Sequence, residues 1–196
     1  MNSIEEFWVE VDARWSPADG KQPIRIIGSS ALMLQTTYER GTNDSDVFQT
    51  TDLSQPIKDQ LLAIAGIGTE LHTRRKMYVD IVANGIPFLP RPQTWHAVDH
   101  LNGHLSRLDV FALDVLDVVV SKLKPFRARD LSDIAAMIDL GLVRHSDLLE
   151  RFTSAVDEFA YGAYASDIPT YVRNLHQVER DLLDVPESEI DLPSWI

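Results

Sequence analysis

The chain contains no cysteine among its 196 residues. A disulfide framework, a thiolate zinc site and a cysteine nucleophile are therefore excluded. Its apolar runs are also short, well below the roughly 18 residues that a membrane-spanning helix needs. The first residues are acidic and lack the basic and apolar regions of a secretory signal peptide, so we expect a cytoplasmic protein.

Positive charge is scarce, because 18 basic residues face 30 acidic ones and the formal net charge is -12. This balance argues against broad binding to DNA or other nucleic acid regardless of sequence. The acidic excess is greatest in residues 147–196, which hold eleven acidic and three basic residues. Two basic clusters, at 74–76 and 122–129, still permit a local anion site.

Strand and helix patterns alternate in the first half of the chain. The β-branched run 23–27 predicts a strand that stops at Gly28, and the pattern of 29–38 predicts a helix. Further patterns predict a helix at 54–65 and strands at 46–50, 77–82 and 105–112. The stretch 86–104 is rich in proline and histidine, and we expect it to be irregular.

The second half of the chain has a helical pattern. It predicts helices at 114–124, 128–140, 146–161 and about 169–183, followed by a surface tail. The order of elements predicts an α+β fold, with a small mixed β-sheet flanked by helices and a helical C-terminal half. We expect a core at 1–113 and a helical region at 114–196 that packs on it, in the same domain or as a second one.

Two aspartates flank a serine at the start of the second predicted strand. Residues i and i+2 of a strand point to the same face, so Asp44 and Asp46 are expected to project together. Neighbouring carboxylates favour a hard cation between them, Mg²⁺ or Mn²⁺. An isolated Asp-x-Asp is more often a solvated turn, so the surrounding residues decide between the two interpretations.

Two further features favour the metal site. Gly28 and Ser29 stand between a strand and a helix, where backbone amides can approach a phosphate. Asp80 lies in an otherwise apolar strand, where an unpaired charge is costly. Three carboxylates on one face of a sheet predict a two-metal site for in-line displacement. Asp109 is the alternative third carboxylate; we favour Asp80, whose strand is expected next after the aspartate pair.

These residues together resemble the signature of the nucleotidyltransferase superfamily of DNA polymerase β-like enzymes. Ile27–Leu32 supplies the hydrophobic residue and Gly-Ser, and Arg40–Val47 supplies Asp-x-Asp, with a slightly longer gap than the family pattern. The form R-x-[ST]-x-D-x-D is similar to the AbiEii-like branch, which is known from abortive-infection and toxin–antitoxin systems. Arg127–Ile134 is similar to the later R-x-[KR]-D-x-x-D-I pattern of that branch, so the resemblance covers about residues 24–135.

The resemblance implies a role for each motif residue. Gly28 and Ser29 would contact the triphosphate of an NTP, while Asp44 and Asp46 would hold Mg²⁺ or Mn²⁺. Asp80 would share one metal and act as general base on a hydroxyl of the acceptor. The acceptor would be an RNA end, a protein or a small molecule, and the toxin–antitoxin or phage-defence setting implies a cognate partner protein.

Two other functions would retain the same acidic residues. One is a catalytically weak nucleotide-binding partner protein, acting as antitoxin or regulator. The other is a metal-dependent phosphohydrolase that uses water as the nucleophile. The intact set of three carboxylates favours an active enzyme over a degenerate site, and transfer and hydrolysis remain alternatives that use the same residues.

Lys122 lies within an apolar helical stripe among valines. Such a lysine either snorkels to the surface or faces a buried anion, and the resemblance favours the triphosphate. Asp130 and Asp133 begin the next predicted helix. Their carboxylates either pair with Lys122 or Arg129, or stabilise the N-terminus of that helix, as acidic residues do.

Three histidines, at 96, 100 and 104, recur every four residues. On one helix they would share a face, as zinc ligands do. Gly103 and the preceding prolines disfavour a regular helix there. We therefore expect His96, His100 and His104 to be solvated or capping residues.

Overall fold

The structure is a computed structural model that describes residues 1–16 and 20–195. It has the α+β class expected from the sequence, with a mixed five-stranded sheet and about half of the chain in helices. The chain forms two compact units: Met1–Ile86 with Trp95–Leu113, and Pro87–Thr94 with Asp114–Ile196. Within the described residues, no helix combines the length and apolar character needed to cross a bilayer.

The first unit contains the whole sheet. Its elements are α1 (Ser3–Arg14), β1 (Gln22–Ile27), α2 (Gly28–Gln35), β2 (Asp44–Phe48), α3 (Gln55–Ala65), α4 (Glu70–Arg75), β3 (Tyr78–Val82), β4 (Trp95–Ala97), α5 (Asp99–Asn102) and β5 (Leu108–Leu113). The strand order is β3-β2-β1-β5-β4. Strand β1 runs antiparallel to β2 and parallel to β5, β2 runs parallel to β3, and β4 runs antiparallel to β5.

Alternation along the strands gives the sheet two different faces. One face carries buried apolar side chains: Ile24, Ile26, Val47, Val79, Val110 and Ala112. Helices α2 and α3 contact the sheet strands, and α1 packs against both helices. The opposite face carries alternate residues of the same strands, including Asp44, Asp46 and Asp80. The core therefore fixes which side chains the other face presents.

Helix α1 was not predicted from the sequence, although its start has a recognisable cap. The Asn2 side chain accepts a hydrogen bond from the Glu5 amide (3.0 Å), and the Glu5 carboxylate accepts one from the Asn2 amide (2.9 Å). Apolar residues then follow at helical spacing and are buried: Ile4, Phe7, Trp8 and Val11. The stretch 86–104, expected to be irregular, contains strand β4 and helix α5, of three and four residues, so that expectation was wrong for these residues. Helix α4, of six residues, was not predicted either.

The second unit consists of helices α6 (Val115–Lys122), α7 (Ala128–Asp139), α8 (His145–Phe159) and α9 (Ile168–Val178). A 3-10 turn precedes α9, and a π-helical turn, Glu179–Leu183, continues it. The segment 87–94 belongs to this unit because Phe88 is fully buried against Phe152, Phe159 and Tyr171.

Candidate active site

Gly28 and Asp46 are in direct contact where β1 passes into α2. Asp46 lies opposite Ile27 in the antiparallel β1–β2 register. The backbone of Gly28 has φ 66°, and a β-carbon placed there would lie only 2.7 Å from Asp46 Oδ2. Both the left-handed backbone and the close carboxylate therefore require glycine. The glycine of the motif makes room for the second aspartate.

Hydroxyl groups position the first aspartate. Thr42 donates a hydrogen bond from Oγ1 to Asp44 Oδ1 (2.9 Å), and Ser30 donates one from Oγ to the Asp44 carbonyl (3.0 Å). Asp44 and Asp46 are both half-buried and lie on the same face of β2. The strand and its preceding turn thus place two partly desolvated carboxylates side by side.

Asp80 is the immediate cross-strand neighbour of this pair. In the parallel β2–β3 register Asp46 lies opposite Asp80, and Asp44 lies opposite Tyr78. The Asp80 carboxylate is exposed and accepts a hydrogen bond from the Ile81 amide (2.9 Å). Burial raises the pKa of the Tyr78 hydroxyl, and the negative charges of Asp44, Asp80 and Asp46 raise it further. This face therefore has a negative potential that favours a cation.

Asp109, the alternative third carboxylate, lies at the far end of β1 from Asp46. Its neighbour on β1 is Pro23, four residues before Ile27, or about 13 Å along the strand. Its Oδ1 atom forms a surface ion pair with Lys21 Nζ at 3.2 Å. The strand register therefore favours Asp80 over Asp109 as the third acid.

Asp44 and Asp46 supply the type of oxygen ligand that magnesium prefers. Within the described residues, no three or more His, Cys, Asp or Glu side chains are arranged to hold one metal ion. Magnesium commonly binds through one or two carboxylates and completes its shell with substrate phosphates and water. Asp44 and Asp46 fit this pattern. Metal ligation by Asp44, Asp46 and Asp80 together stays a prediction.

Ser29 and Arg40 form a second contact within the motif. The Arg40 guanidinium donates hydrogen bonds to Ser29 Oγ and to the carbonyl of Gly41. Arg40 and Thr42 both belong to the turn before β2, and neither has a role that was predicted from the sequence. Their place in the R-x-T-x-D-x-D string was visible, whereas their partners depend on how the chain folds.

The serine between the two aspartates points into the core. Ser45 is fully buried, and its Oγ accepts a hydrogen bond from Trp8 Nε1 at 3.3 Å. Trp8 lies on α1 and is itself fully buried. Helix α1 therefore supports the aspartate strand from the core side of the sheet.

A protein family described as a nucleotidyltransferase of unknown function (DUF6036) matches residues 9–183. The chain belongs to this nucleotidyltransferase family. The match extends beyond the sheet into the helical unit and covers every residue proposed for the site. Searches of curated proteins and of solved structures give no match.

In this DUF6036 nucleotidyltransferase, Lys122 is buried and paired with two carboxylates at the start of α7. Its Nζ lies 2.7 Å from Asp133 Oδ2 and 3.2 Å from Asp130 Oδ1. The side chain is only 7% exposed, so it does not snorkel to the surface. The pairing of Asp130 and Asp133 with Lys122 is one of the two arrangements considered from the sequence. A contact between Lys122 and the triphosphate stays a prediction.

The three spaced histidines of the nucleotidyltransferase do not share a helix. His96 lies in β4, His100 in α5, and His104 in the turn after α5. His100 Nε2 lies 2.9 Å from Glu5 Oε1, which ties α5 to α1. Because they lie on three separate segments, they do not form the single helical face that zinc ligands at this spacing would share.

Proposed function

We propose that this protein is a metal-dependent enzyme that transfers a nucleotidyl group from an NTP to a hydroxyl acceptor. The contact between Gly28 and Asp46 carries the proposal, because it joins a phosphate-binding turn to a carboxylate pair. The negative potential around Tyr78 supports a cation on the same face. Membership of a nucleotidyltransferase family supports the reaction class.

Each side chain has a distinct role in this proposal. Asp44 and Asp46 would hold Mg²⁺ or Mn²⁺, an ion that would supply positive charge against the phosphates. Gly28 and Ser29 bind the phosphate chain at the start of α2, where free backbone amides favour anions. Asp80, exposed beside the pair, accepts the proton of the attacking hydroxyl. The acceptor oxygen bonds to the α-phosphorus, and the bond to pyrophosphate breaks.

Three features of the proposal depend on the resemblance to the AbiEii-like branch. Lys122 is proposed as a further phosphate ligand. The acceptor is proposed to be an RNA end, a protein or a small molecule. A cognate partner protein is proposed within a toxin–antitoxin or phage-defence system.

Transfer of label from NTPs tests the enzyme directly. Each NTP, radiolabelled at the α-phosphate, is incubated with Mg²⁺, the full chain, and total RNA or cell lysate as acceptor. We expect a labelled product from the native protein and none from Asp44→Asn or Asp46→Asn. Asp109→Asn is the matched control, because Asp109 is a strand carboxylate in a surface ion pair distant from Asp46. Its transfer should match the native rate.

Other outcomes would contradict the proposal. Free phosphate released from label at the γ-position, without any labelled acceptor, would identify a phosphohydrolase. Nucleotide binding without transfer, combined with tight binding to a partner protein, would identify a regulator. Equal loss of activity in Asp109→Asn would show that the carboxylate pair is not the site.

A further inference from the structure

Tyr78 adds a hydroxyl group to the sheet face that carries the three aspartates. It is the first residue of β3 and lies directly opposite Asp44 in the parallel β2–β3 register. Asp80 follows two residues later on the same strand, so the two side chains project from the same face. Val79, between them, is buried in the core. Strand alternation therefore places a phenol beside the proposed metal ligands and the proposed general base.

The hydroxyl of Tyr78 is a hydrogen-bond donor among acceptors. Burial raises its pKa, and the negative charges of Asp44, Asp80 and Asp46 raise the pKa further, so the hydroxyl keeps its proton at neutral pH. Within the part of the chain that the structure describes, this hydroxyl makes no hydrogen bond. The donor is therefore available to a ligand that binds on the face of the three carboxylates.

Helix α4 restricts the direction of the phenol ring. The imidazole of His72, on α4, lies edge-on to the ring of Tyr78, with the ring centroids 5.3 Å apart and the planes at 74°. The imidazole is held in turn, because its Nδ1 accepts a hydrogen bond from the Gly68 amide (2.9 Å). A donor that the fold holds in place needs little reorganisation when charge develops on a substrate oxygen.

The proposed roles of the neighbouring residues define which part of the substrate lies beside Tyr78. Asp46 lies between the strand that leads to Gly28 and the strand that carries Asp80. The phosphate chain is proposed to bind on the Gly28 side, and the acceptor hydroxyl on the Asp80 side. In-line displacement puts the leaving and attacking oxygens on opposite sides of the phosphorus. The α-phosphate would therefore lie over Asp44 and Asp46, adjacent to Tyr78.

We propose that the Tyr78 hydroxyl donates a hydrogen bond to a non-bridging oxygen of the α-phosphate during transfer. This role deepens the proposed function and rests on it. The bond from the acceptor oxygen to the α-phosphorus forms as the bond to pyrophosphate breaks. The acceptor proton passes to Asp80, and the Tyr78 proton stays on its own oxygen. The hydrogen bond stabilises negative charge on the α-phosphate in the transition state.

Phosphorothioate substrates test this contact at the level of single atoms. The probes are the two diastereomers of an NTP in which sulfur, a weak hydrogen-bond acceptor, replaces one non-bridging α-oxygen. Tyr78→Phe keeps the ring and removes only the hydroxyl. With the ordinary NTP we expect kcat to fall about tenfold to hundredfold, with little change in KM. We also expect loss of the native discrimination against one diastereomer, the one whose slow transfer Mn²⁺ in place of Mg²⁺ does not restore.

Tyr161→Phe is the matched control for this experiment. Tyr161 is 82% exposed and belongs to the second unit, so its hydroxyl should be dispensable. This variant should keep the native rate and the native discrimination between diastereomers. Urea denaturation should give Tyr78→Phe the native free energy of unfolding, because the hydroxyl that it loses makes no hydrogen bond in the described part of the chain.

Two results would overturn the role of Tyr78. If Tyr78→Phe slows the ordinary NTP and both diastereomers by the same factor, the residue only supports the structure of the site. If it weakens binding of an NTP analogue with a methylene group between the α- and β-phosphates, measured by calorimetry, and leaves the discrimination unchanged, the hydroxyl contacts another part of the nucleotide.

Failure of this inference is distinguishable from failure of the proposed function. If the native protein binds no NTP and transfers no label, both are wrong. If the native protein transfers label, and Tyr78→Phe keeps the native rate and the native preference between diastereomers, only the role of Tyr78 is wrong.

Discussion

At the scale of single residues, the contact between Gly28 and Asp46 gives the sharpest prediction. Gly28→Ala adds a β-carbon to a left-handed backbone 2.7 Å from Asp46 Oδ2. We expect loss of nucleotidyl transfer, because the carboxylate must move. We also expect a loss of stability greater than the about 1–2 kcal/mol that the backbone conformation alone costs. Urea denaturation and the transfer assay measure the two effects.

Gly85→Ala is the matched control for this prediction. Gly85 has φ 84°, but a β-carbon there would meet nothing within 4 Å. The Gly85→Ala variant should lose only the stability that a left-handed backbone costs a residue with a side chain, and it should keep full transfer activity. Equal effects of the two substitutions would show that the contact with Asp46 is unimportant.

The hydroxyl of Thr42 gives a second prediction at this scale. Thr42→Val keeps the shape of the side chain and removes the hydrogen bond to Asp44, which is worth about 1.5–3 kcal/mol when the acceptor is charged. We expect about tenfold to hundredfold lower kcat/KM, together with a higher Mg²⁺ requirement. Thr42→Ser should restore activity. Thr153→Val, which removes an exposed hydroxyl on α8, should have no effect on transfer.

Sequence alone could predict the residues that carry the motif but not the contacts that hold them. Asp44 and Asp46 share a face because strand side chains alternate, and this follows from their spacing. The hydrogen bond from Arg40 to Ser29 joins residues eleven positions apart through a turn whose path the sequence does not specify. The position of Asp80 on the strand next to Asp46 was expected from the order of the strands, and the parallel pairing of β2 with β3 supplies the register that puts them opposite each other.

At the scale of helices and strands, periodic segments were predicted best. The helix expected at 54–65 is α3, at Gln55–Ala65, and the strand expected at 77–82 is β3, at Tyr78–Val82. Strand β4 has three residues, too few for an alternating pattern to be recognised. Helix α1 is different, because its capping box and apolar spacing are present in the sequence and could have been recognised.

A buried ion pair joins α6 to α8 and predicts a large effect on stability. Asp117 is fully buried, and its carboxylate accepts hydrogen bonds from Arg151 Nε (2.7 Å) and the Thr94 amide (3.0 Å). Arg151→Met leaves this charge without its partner, and we expect a loss of about 3–5 kcal/mol at pH 7. Arg144→Met breaks an exposed pair with Asp147 and should cost less than about 1 kcal/mol. Chemical denaturation measures both.

The pH dependence of the same variant provides an independent check. Burial raises the pKa of Asp117 even with Arg151 and Thr94 opposing it. The folded state therefore holds this proton more tightly than the unfolded state does. Ionisation of Asp117 lowers the free energy of unfolding as pH rises above the ordinary pKa of 3.8. Arg151→Met removes the positive charge that compensates the Asp117 carboxylate. The difference in free energy of unfolding between the native protein and this variant should therefore shrink as acid protonates Asp117. A deficit independent of pH would argue against an uncompensated carboxylate.

Glu179 gives the opposite pH dependence within the same unit. Burial opposes its ionisation, but hydrogen bonds from Ser188 and His145 lower its pKa from the ordinary value of 4.5. Its contribution to stability is therefore present above that value and lost as pH falls through the lower folded-state pKa. Glu179→Gln should be less stable at neutral pH and less sensitive to acid in denaturation experiments. The exposed Glu189→Gln should keep the native pH profile.

At the scale of the whole molecule, charge sets what the protein can bind. The net charge of -12 disfavours sequence-independent attachment to phosphate backbones. Proteins that do attach to DNA in this sequence-independent way bind unrelated duplexes with Kd of about 10⁻⁴–10⁻⁶ M at physiological salt. We expect fluorescence anisotropy to detect no binding of a random DNA duplex in this range. Micromolar binding that weakens with added salt would contradict the expectation.

The hydrogen bond between Trp8 and Ser45 places an indole ring directly behind the proposed metal ligands. A variant that keeps Trp8 and replaces Trp15, Trp95 and Trp195 with phenylalanine would carry one fluorophore at this position. Its emission would report any movement of β2 when a cation or nucleotide binds. The core of the protein would thus provide an optical signal for occupancy of the proposed site, whichever acceptor is used.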